Sequence, residues 1–455
     1  MTSQQRVVVI GGGMAAARLA QRLRPTAAAD GTGGPALTVL GEEPHAPYNR
    51  VLLAEVLAGR YTHDVIALPA PHNDVRWLGG VRAVRVDRER RTVLCDDGQA
   101  VPYDRLVLAT GSNPVLPPLR GLFPPGQDDL PRGVHPFRTL DDCTALEAAA
   151  ARPGVRAVVI GGGLLGVSAA RALAERGVPV LLAQQGEHLM ERQLDAGAAA
   201  LLRAHLEALG VEVHTECRVR GLRVEGGAVR AVELADGYVS DAGLVVLACG
   251  VRPRVGLARA AGLPVGRGIV VDDHLRTADP RIHAIGDCAQ HDGLVYGLAG
   301  AALEQADLLA RVLGADSTPK APEAPKAPEA DSVRYRGTRA LTRLTLTGPG
   351  PGPAPSPRPG SSPLDLAAFG TPSPRPGDDV VHLSDATRSA YRKVIVRGDR
   401  LVGGILLGDL GAVGTLARTW EADDPLPAAP LLHLLTTGHT GGPGTAPIPT
   451  PDGGS

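Results

Sequence analysis

At 455 residues the chain is long enough for two or three domains with sizeable cores. Its 47 Lys and Arg balance 48 Asp and Glu, and aromatics make up only 3%, which argues against a nucleic-acid surface and against base-stacking platforms. No run reaches the roughly 18 apolar residues a membrane helix needs, and the apolar start at Val7 is too short and glycine-interrupted for a signal sequence, so a cytoplasmic protein with no membrane partner is expected.

The five cysteines (Cys95, Cys143, Cys217, Cys249 and Cys288) are scattered, with no CxxC pair. That pattern fits a reducing compartment and argues against a cysteine-built iron–sulfur or zinc cluster, so no metal site is expected. The first structural signal is Val7-Val8-Val9-Ile10, four β-branched residues suited to a strand buried on both faces. It runs into Gly11-x-Gly13-x-x-Ala16 and then the Ala-rich, helix-favouring 15–23. Strand, glycine turn and helix in this order form a dinucleotide-binding fingerprint. Gly11 makes the turn, Gly13 lets backbone approach a pyrophosphate, and Ala16 packs helix on strand. The helix N-terminus adds unpaired N–H groups and a positive dipole end.

Leu37–Leu40 reads as the second buried strand, and Glu42 and Glu43 stand just past its tip. A carboxylate there accepts bonds from a nucleotide ribose; Glu42 is preferred and Glu43 held in reserve. Arg50, after the Pro47 turn, is a candidate pyrophosphate partner. Residues 75–108 read as short strands with a turn at Asp96-Asp97-Gly98, and the last strand ends at Thr110-Gly111, where small residues let the chain cross over a dinucleotide. Pro114–Pro125 reads as a crossover between domains.

At Ala157–Gly166 the opening pattern returns with glycine in all three slots, Gly161, Gly163 and Gly166. The period is 150 residues (161 − 11), too long for a solenoid, so it implies a second nucleotide-binding unit. The strand Pro179–Leu182 follows, but its tip, Ala183-Gln184-Gln185, offers neither a carboxylate for an NAD ribose nor an immediate arginine for a 2′-phosphate, leaving both nucleotides open. Gly243–Pro253, with Gly250 in its turn, echoes the turn at Gly111. Ile282–Ala289 reads as a strand ending in Gly286-Asp287 before a helical stretch; Asp287 either holds the ribityl hydroxyls of a flavin or caps a helix.

Beyond these, Thr318–Ala330 reads as a Pro/Ala-rich spacer. Leu341–Thr347, Val381–Leu383, Tyr391–Val396 and Leu401–Leu407 read as strands of a small sheet, with a helix over Ala412–Trp420. Gly348–Pro363, Thr371–Gly377 and the tail after His439 read as disordered, and His382, His433 and His439 show no ligand spacing.

The paired fingerprints, the two small-residue turns and the Gly-Asp strand together resemble the FAD- and NAD(P)H-binding disulfide-reductase superfamily over roughly residues 5–312. Glu43-Pro44-His45 to Tyr48-Asn49-Arg50, Gly161–Gly166, Leu189–Asp195 and Val295–Leu298 with Glu304-Gln305 look more narrowly like the flavin part of the assimilatory nitrite reductase large subunit and its electron-transfer relatives. The run Met190-Glu191-Arg192-Gln193-Leu194-Asp195 is the most specific of these segments, and rubredoxin and ferredoxin reductases are the next most similar in style.

The resemblance implies an α/β fold: two Rossmann-like three-layer dinucleotide-binding domains, for FAD and NAD(P), plus a small α+β C-terminal interface domain. The expected division is FAD-binding at 1–112 and 251–315, NAD(P)H-binding at 113–250, a linker at 316–332, the interface domain at 333–425 and a tail at 426–455. FAD is expected on Gly11, Gly13, Ala16, Glu42 or Glu43, Arg50, Thr110, Gly111, Gly286 and Asp287, and NAD(P)H on Gly161, Gly163, Gly166 and Gly250. Hydride then passes from nicotinamide C4 to flavin N5, with no catalytic acid or base required.

Departures from the family shape the rest. The redox-active cysteine pair after the first helix is missing, and Ala54 and Glu55 occupy the place of the single reactive cysteine; Glu55 also replaces a lysine that rubredoxin-reductase relatives often carry. Ser168 replaces a glutamate two residues after the last fingerprint glycine, and the iron–sulfur and sirohaem domains of full nitrite reductases have no counterpart in this sequence. The expected activity is therefore an NAD(P)H:acceptor oxidoreductase passing electrons to an iron–sulfur or rubredoxin-like carrier, or to a nitrate or nitrite reductase subunit. A rubredoxin or ferredoxin reductase, and a flavin-holding regulatory protein with little turnover, are the alternatives. A homodimer is a further expected assembly.

Overall fold

The computed structural model describes residues 4–23, 35–70, 72, 74–123, 126, 129–317, 333–339, 341–346, 364–385, 387–426 and 431–436. Two five-stranded sheets, parallel throughout, organise it. In the first, Arg6–Ile10 is central, between Ala36–Gly41 and Arg105–Leu108, with Arg76–Gly79 and Ile282–Ala284 at the edges. In the second, Ala157–Ile160 is central, between Val180–Ala183 and Leu244–Leu247, with Val211–His214 and Val134–Pro136 outside. Both central strands are buried along their apolar run, as a strand covered on both faces must be. Alanines on the helices Met14–Arg22 and Leu164–Glu175 let each lie close on its sheet.

The second sheet is inserted into the first unit. Ser112–Pro114 leads out and Val251–Pro253 leads back, and these two crossovers pair antiparallel. The chain then finishes the first sheet with Ile282–Ala284, and the helix Ala299–Ser317 packs on Met14–Arg22, where Asp307 takes both Arg18 (2.7 Å) and Arg22 (2.9 Å). Each unit also carries a small antiparallel sheet: Ala83–Asp87, Thr92–Cys95 and Ala100–Pro102 in the first, and Val219–Glu225, Ala228–Leu234 and Val239–Asp241 in the second.

A buried charge cluster fastens the units. The helix Leu53–Leu57 of the first packs on Leu164–Glu175 of the second, and Glu55 and Glu175 alternate there with Arg60 and Arg171. Arg60 lies 2.9 Å from Glu55 and 2.5 Å from Glu175, while the Arg171 side chain is fully buried. Burial pushes the Glu175 carboxyl up, against the pull of Arg171 and Arg60. Glu55 therefore faces a neighbouring helix, and Ala54 beside it is the residue that lines the central cleft.

The C-terminal part is a five-stranded antiparallel sheet in the order Thr342–Leu346, Leu364–Gly370, Arg400–Leu407, Ala390–Arg397, Asp379–Asp385, with the helix Val413–Ala422 against it. Asp195 docks it. This residue caps the helix Ala196–Ala208 and also accepts bonds from Tyr391 (2.7 Å) and Lys393 (2.6 Å) of the sheet. Burial alone would raise the Asp195 carboxyl, but those bonds hold it below its ordinary value.

Two local readings of the sequence are corrected, and one strand that it did not announce is added. Leu364–Gly370 is a buried strand that the flanking Pro/Gly-rich runs concealed. Thr371–Gly377, expected to be disordered, is a bonded turn in which Thr371 donates to the Ser373 carbonyl (2.9 Å) and Arg375 N–H to Asp378 (2.8 Å). Asp287 does not precede a helix: a single 3₁₀ turn, Gly286–Cys288, leads into the strand Ala289–His291. The spacer Thr318–Ala330, the insertion Gly348–Pro363 and the tail after His439 lie outside the described residues. Among the described residues no helix is long and apolar enough to cross a membrane.

Removing Arg171 by Arg171→Ala strips a fully buried guanidinium from two partly buried carboxylates and is expected to cost about 3–5 kcal/mol in urea unfolding at neutral pH; a loss under about 1 kcal/mol would show the cluster to be dispensable. Asp104, which accepts from the Arg6 guanidinium (2.8 and 3.1 Å) and backbone (2.8 Å), is held down at about 2 from 3.8. Its folded value is depressed, so its stabilisation is present above about pH 4 and is lost as pH falls towards 2. Asp104→Asn is expected to flatten stability across that window while costing less than about 1 kcal/mol at neutral pH, because the pair is partly exposed.

Candidate functional site

Both central strands end in the same backbone device. Gly11 and Gly161 have φ of +118° and +108°, and a Cβ on either would run into the carbonyl of Ala109 or Ala248 on the adjacent strand's exit. Gly166 sits against the Gly161 carbonyl, and Ala16 in the equivalent place is fully buried, so both pack helix on strand. Gly13 and Gly163 differ. A Cβ on Gly163 would meet nothing within 4 Å, and one on Gly13 would meet only Arg50, 3.8 Å away. Each is the N-cap of its helix, with no side-chain cap bond, so the first-turn N–H groups open onto the cleft. These cradles, empty of side chain and rich in donors, fit a pyrophosphate at each turn.

The two turns face one continuous cleft of about 2300 Å³. A single small-molecule pocket spans about 300–1,000 Å³, so the cleft has room for two dinucleotides. Every expected site residue lines it except Ala16 and Gly166, which stand behind the turns as packing residues.

On the first unit's side the two strand-tip acids part company. Glu42, at the mouth, pairs with Arg254 at 2.5 Å. Glu43 turns inward, paired with Arg50 and accepting from the Tyr48 hydroxyl at 2.6 Å. The same hydroxyl accepts from Leu140 N–H (2.9 Å), and burial pushes the phenol well above its usual range. Burial opposes the Arg50 charge, yet Tyr48, Glu43 and Asp287 hold the guanidinium above its ordinary value, so it stays protonated beside Gly13. Thr110 donates to the Arg254 carbonyl (2.7 Å), and Gly111 accepts from Arg254 N–H (2.9 Å), fixing the crossover to this wall. Gly286 N–H is held by the buried Gln305 amide (2.7 Å). Asp287 Oδ2 takes Arg138 (2.6 Å) and Ser112 (3.0 Å); among the described residues no donor meets its Oδ1.

On the second side, Gly250 has φ +94° and its carbonyl accepts from Val115 N–H (2.9 Å), joining the two crossovers. Gln184 accepts from Gly162 N–H (2.8 Å) and Met190 N–H binds the Gly162 carbonyl (2.9 Å), so the segment around Leu189–Arg192 folds over this turn. Ser168 donates back to the Leu164 carbonyl at 2.8 Å and lines the cleft.

Arg138, Ser112 and Arg254 were not singled out from sequence. Arg138 was findable: Thr139-Leu140-Asp141-Asp142 forms a reciprocal capping box, which places the residue just before Thr139 at a helix mouth. Arg254 had no local signal, because its partner Glu42 lies 212 residues away (254 − 42). All five cysteines are free. Burial pushes the Cys143 thiol up to about 12 and the Cys249 thiol up to about 11, so neither is an activated nucleophile at neutral pH. Among the described residues no group of three or more His, Cys, Asp and Glu could hold a metal ion.

Comparison with known proteins agrees with this geometry. Residues 5–306 match the family described as pyridine nucleotide-disulphide oxidoreductase, and 361–421 match the rubredoxin NAD+ reductase C-terminal domain. The chain is 34% identical to nitrite reductase [NAD(P)H] of Bacillus subtilis over 89% of its length and 46% of that protein's. It is 32% identical to the assimilatory nitrate reductase electron transfer subunit of Bacillus subtilis, over 89% of its length and 48% of that protein's. Putidaredoxin reductase of Pseudomonas putida is 32% identical over 69% of this chain and 75% of its own. The chain thus spans about half the length of the first two relatives. In fold it superposes on the reductase of a covalent putidaredoxin reductase–putidaredoxin complex with a TM-score of 0.76, at 24% identity, over 97% of this chain and 100% of that one. The chain belongs to the pyridine nucleotide-disulphide oxidoreductase family.

Proposed function

We propose that the protein is an FAD-dependent NAD(P)H oxidoreductase that takes hydride from a nicotinamide and passes electrons to an external carrier or reductase, in nitrate or nitrite assimilation. The carrying observation is the pair of open glycine cradles facing one cleft large enough for two dinucleotides. Supporting the pathway are the likenesses to nitrite reductase [NAD(P)H] and to the assimilatory nitrate reductase electron transfer subunit. The rubredoxin NAD+ reductase C-terminal match and the putidaredoxin reductase likeness favour a second reading, in which the acceptor is a rubredoxin- or ferredoxin-type carrier. A homodimer and a cytoplasmic setting complete the proposal, the latter supported by five free thiols.

In this reading residues 1–112 and 251–315 hold FAD, 113–250 hold NAD(P)H, and 333–425 form the interface domain. Gly13 and the first-turn N–H groups of the helix Met14–Arg22 would hold the flavin pyrophosphate, with Arg50 adding its charge. Glu42 accepts from the ribose, with Glu43 positioning Arg50 instead of meeting ligand. Asp287 offers Oδ1 to a ribityl hydroxyl while Arg138 and Ser112 steady Oδ2. Gly163 and Leu164–Glu175 do for the nicotinamide nucleotide what Gly13 and its helix do for FAD. When bound, the flavin supplies hydride acceptance and the ability to release electrons singly. The protein contributes orientation: one cleft lets both ligands meet, and hydride transfer between them calls for no thiol or general base.

Anaerobic stopped-flow mixing of the FAD-loaded protein with NADH or NADPH is expected to bleach the flavin band; no bleaching with either nucleotide would favour a flavin-holding protein without turnover. Gly163→Ala adds a Cβ to space that is open in the chain alone, so folding and flavin content are expected to persist while the KM for nicotinamide nucleotide rises about tenfold or more. An unchanged KM would remove Gly163 from the binding site. Arg50→Ala is expected to weaken FAD about 10- to 100-fold in a fluorescence titration, the scale of one charged hydrogen bond of about 1.5–3 kcal/mol.

A further inference from the structure

The tip of the second unit's second strand is electrically unlike that of the first. Beside Gly11–Gly13 the first unit presents Glu42 and Glu43. Beside Gly161–Gly163 the second presents Gln184 and Gln185, and the Gln184 amide oxygen is already committed to Gly162 N–H. The tip residues themselves supply no carboxylate for an adenosine 2′-hydroxyl, and the Glu191 carboxylate beside Gly186 is engaged by the Glu187 N–H.

Two arginines flank that tip from segments distant in sequence. Glu216 N–H donates to the Gly186 carbonyl (2.8 Å) and Cys217 N–H to the Gln184 carbonyl (2.9 Å), which lays Arg218 alongside the tip. On the other flank, Met190 N–H bonds the Gly162 carbonyl and the Glu191 carboxylate packs on Gly186, which brings Arg192 to the same opening. Arg192 and Arg218 are both exposed and both line the cleft, and neither guanidinium has a protein partner among the described residues. The nearby Glu191 carboxylate already accepts the Glu187 N–H (2.8 Å), and Asp236 accepts the Tyr238 N–H (2.9 Å). Guanidinium groups match phosphate oxygens in geometry and charge, and a pair without protein partners beside a ribose position is what a 2′-phosphate requires.

We propose that Arg192 and Arg218 form a 2′-phosphate site that makes NADPH the preferred electron donor. This rests on the reading of the second unit as the nicotinamide-nucleotide site. Neither arginine stands at the strand tip itself, so the sequence there leaves the nucleotide open; the backbone bonds of 216–217 and 190 bring both segments to the cleft beside that tip.

The test uses the FAD-loaded protein and two calorimetric probes, adenosine 2′,5′-bisphosphate and 5′-AMP. The bisphosphate is expected to bind at least tenfold more tightly. Arg192→Ala and Arg218→Ala should each remove most of that advantage, the double variant should abolish it, and added salt should erode it in the wild type. In anaerobic flavin reduction, the NADPH-to-NADH rate ratio is expected to exceed ten and to fall about tenfold with Arg218→Glu at unchanged flavin content. Equal binding of the two probes, or a ratio favouring NADH, overturns the 2′-phosphate assignment alone. Reduction by neither nucleotide instead overturns the hydride-transfer reading on which it stands, and the calorimetric arm needs no turnover to tell the two apart.

Discussion

The structure depends on one close approach made twice: a glycine turn leaving a central strand passes against the carbonyl at the exit of its neighbour. Gly11 meets Ala109 and Gly161 meets Ala248, and in both places a side chain would collide with backbone. Glycine is required by steric exclusion as well as by its positive φ. Because the neighbouring strands lie on opposite sides of each central strand, the turn opens into the crevice at a topological switch point, where ligands of open α/β sheets bind. Helix N-termini, open glycines and the crossover turns at Gly111 and Gly250 all follow from that placement.

Two cradles are useful only if they face one another, and the joint between them carries that requirement. The crossovers Ser112–Pro114 and Val251–Pro253 pair as a short ribbon, and the Arg60–Glu55–Arg171–Glu175 cluster locks helix on helix nearby. A buried ion cluster contributes less to net stability than an apolar contact of the same size can, but breaking it is costly, which makes it suited to fixing a register. Arg138 extends the coupling into the site: it belongs to the segment leading into the helix Leu140–Ala150, yet its guanidinium meets Asp287 on the other unit. Asp195 performs the same service outward, tying Tyr391 and Lys393 of the C-terminal sheet to the second unit.

Local signals in the sequence carried the parts of the fold that local physics determines. The two β-branched runs, the glycine spacing and the Ala-rich helices sit in consecutive residues, and the strands and turns they announce are present. Leu364–Gly370 escaped because proline and glycine on both sides hid an apolar strand whose partners lie at 342–346 and 400–407. The site divides in the same way. Glycines and strand-tip acids could be read from spacing, and the reserve residue Glu43 is an Arg50 partner because Tyr48 and Arg50 fold back onto it. Arg254 could not, since it reaches a carboxylate contributed by a far segment of chain, and the capping box that marks Arg138 at a helix mouth says nothing of its distant partner Asp287.

In the proposed function two like-built cradles hold two different dinucleotides at once. Sequential isothermal titration of the flavin-free chain tests it most directly, first with FAD and then with a non-reducing nicotinamide nucleotide such as NADP+ or NAD+. One FAD per chain is expected, followed by one nicotinamide nucleotide that binds without displacing it. A chain that takes up no FAD, or from which the second ligand expels the first, would contradict it.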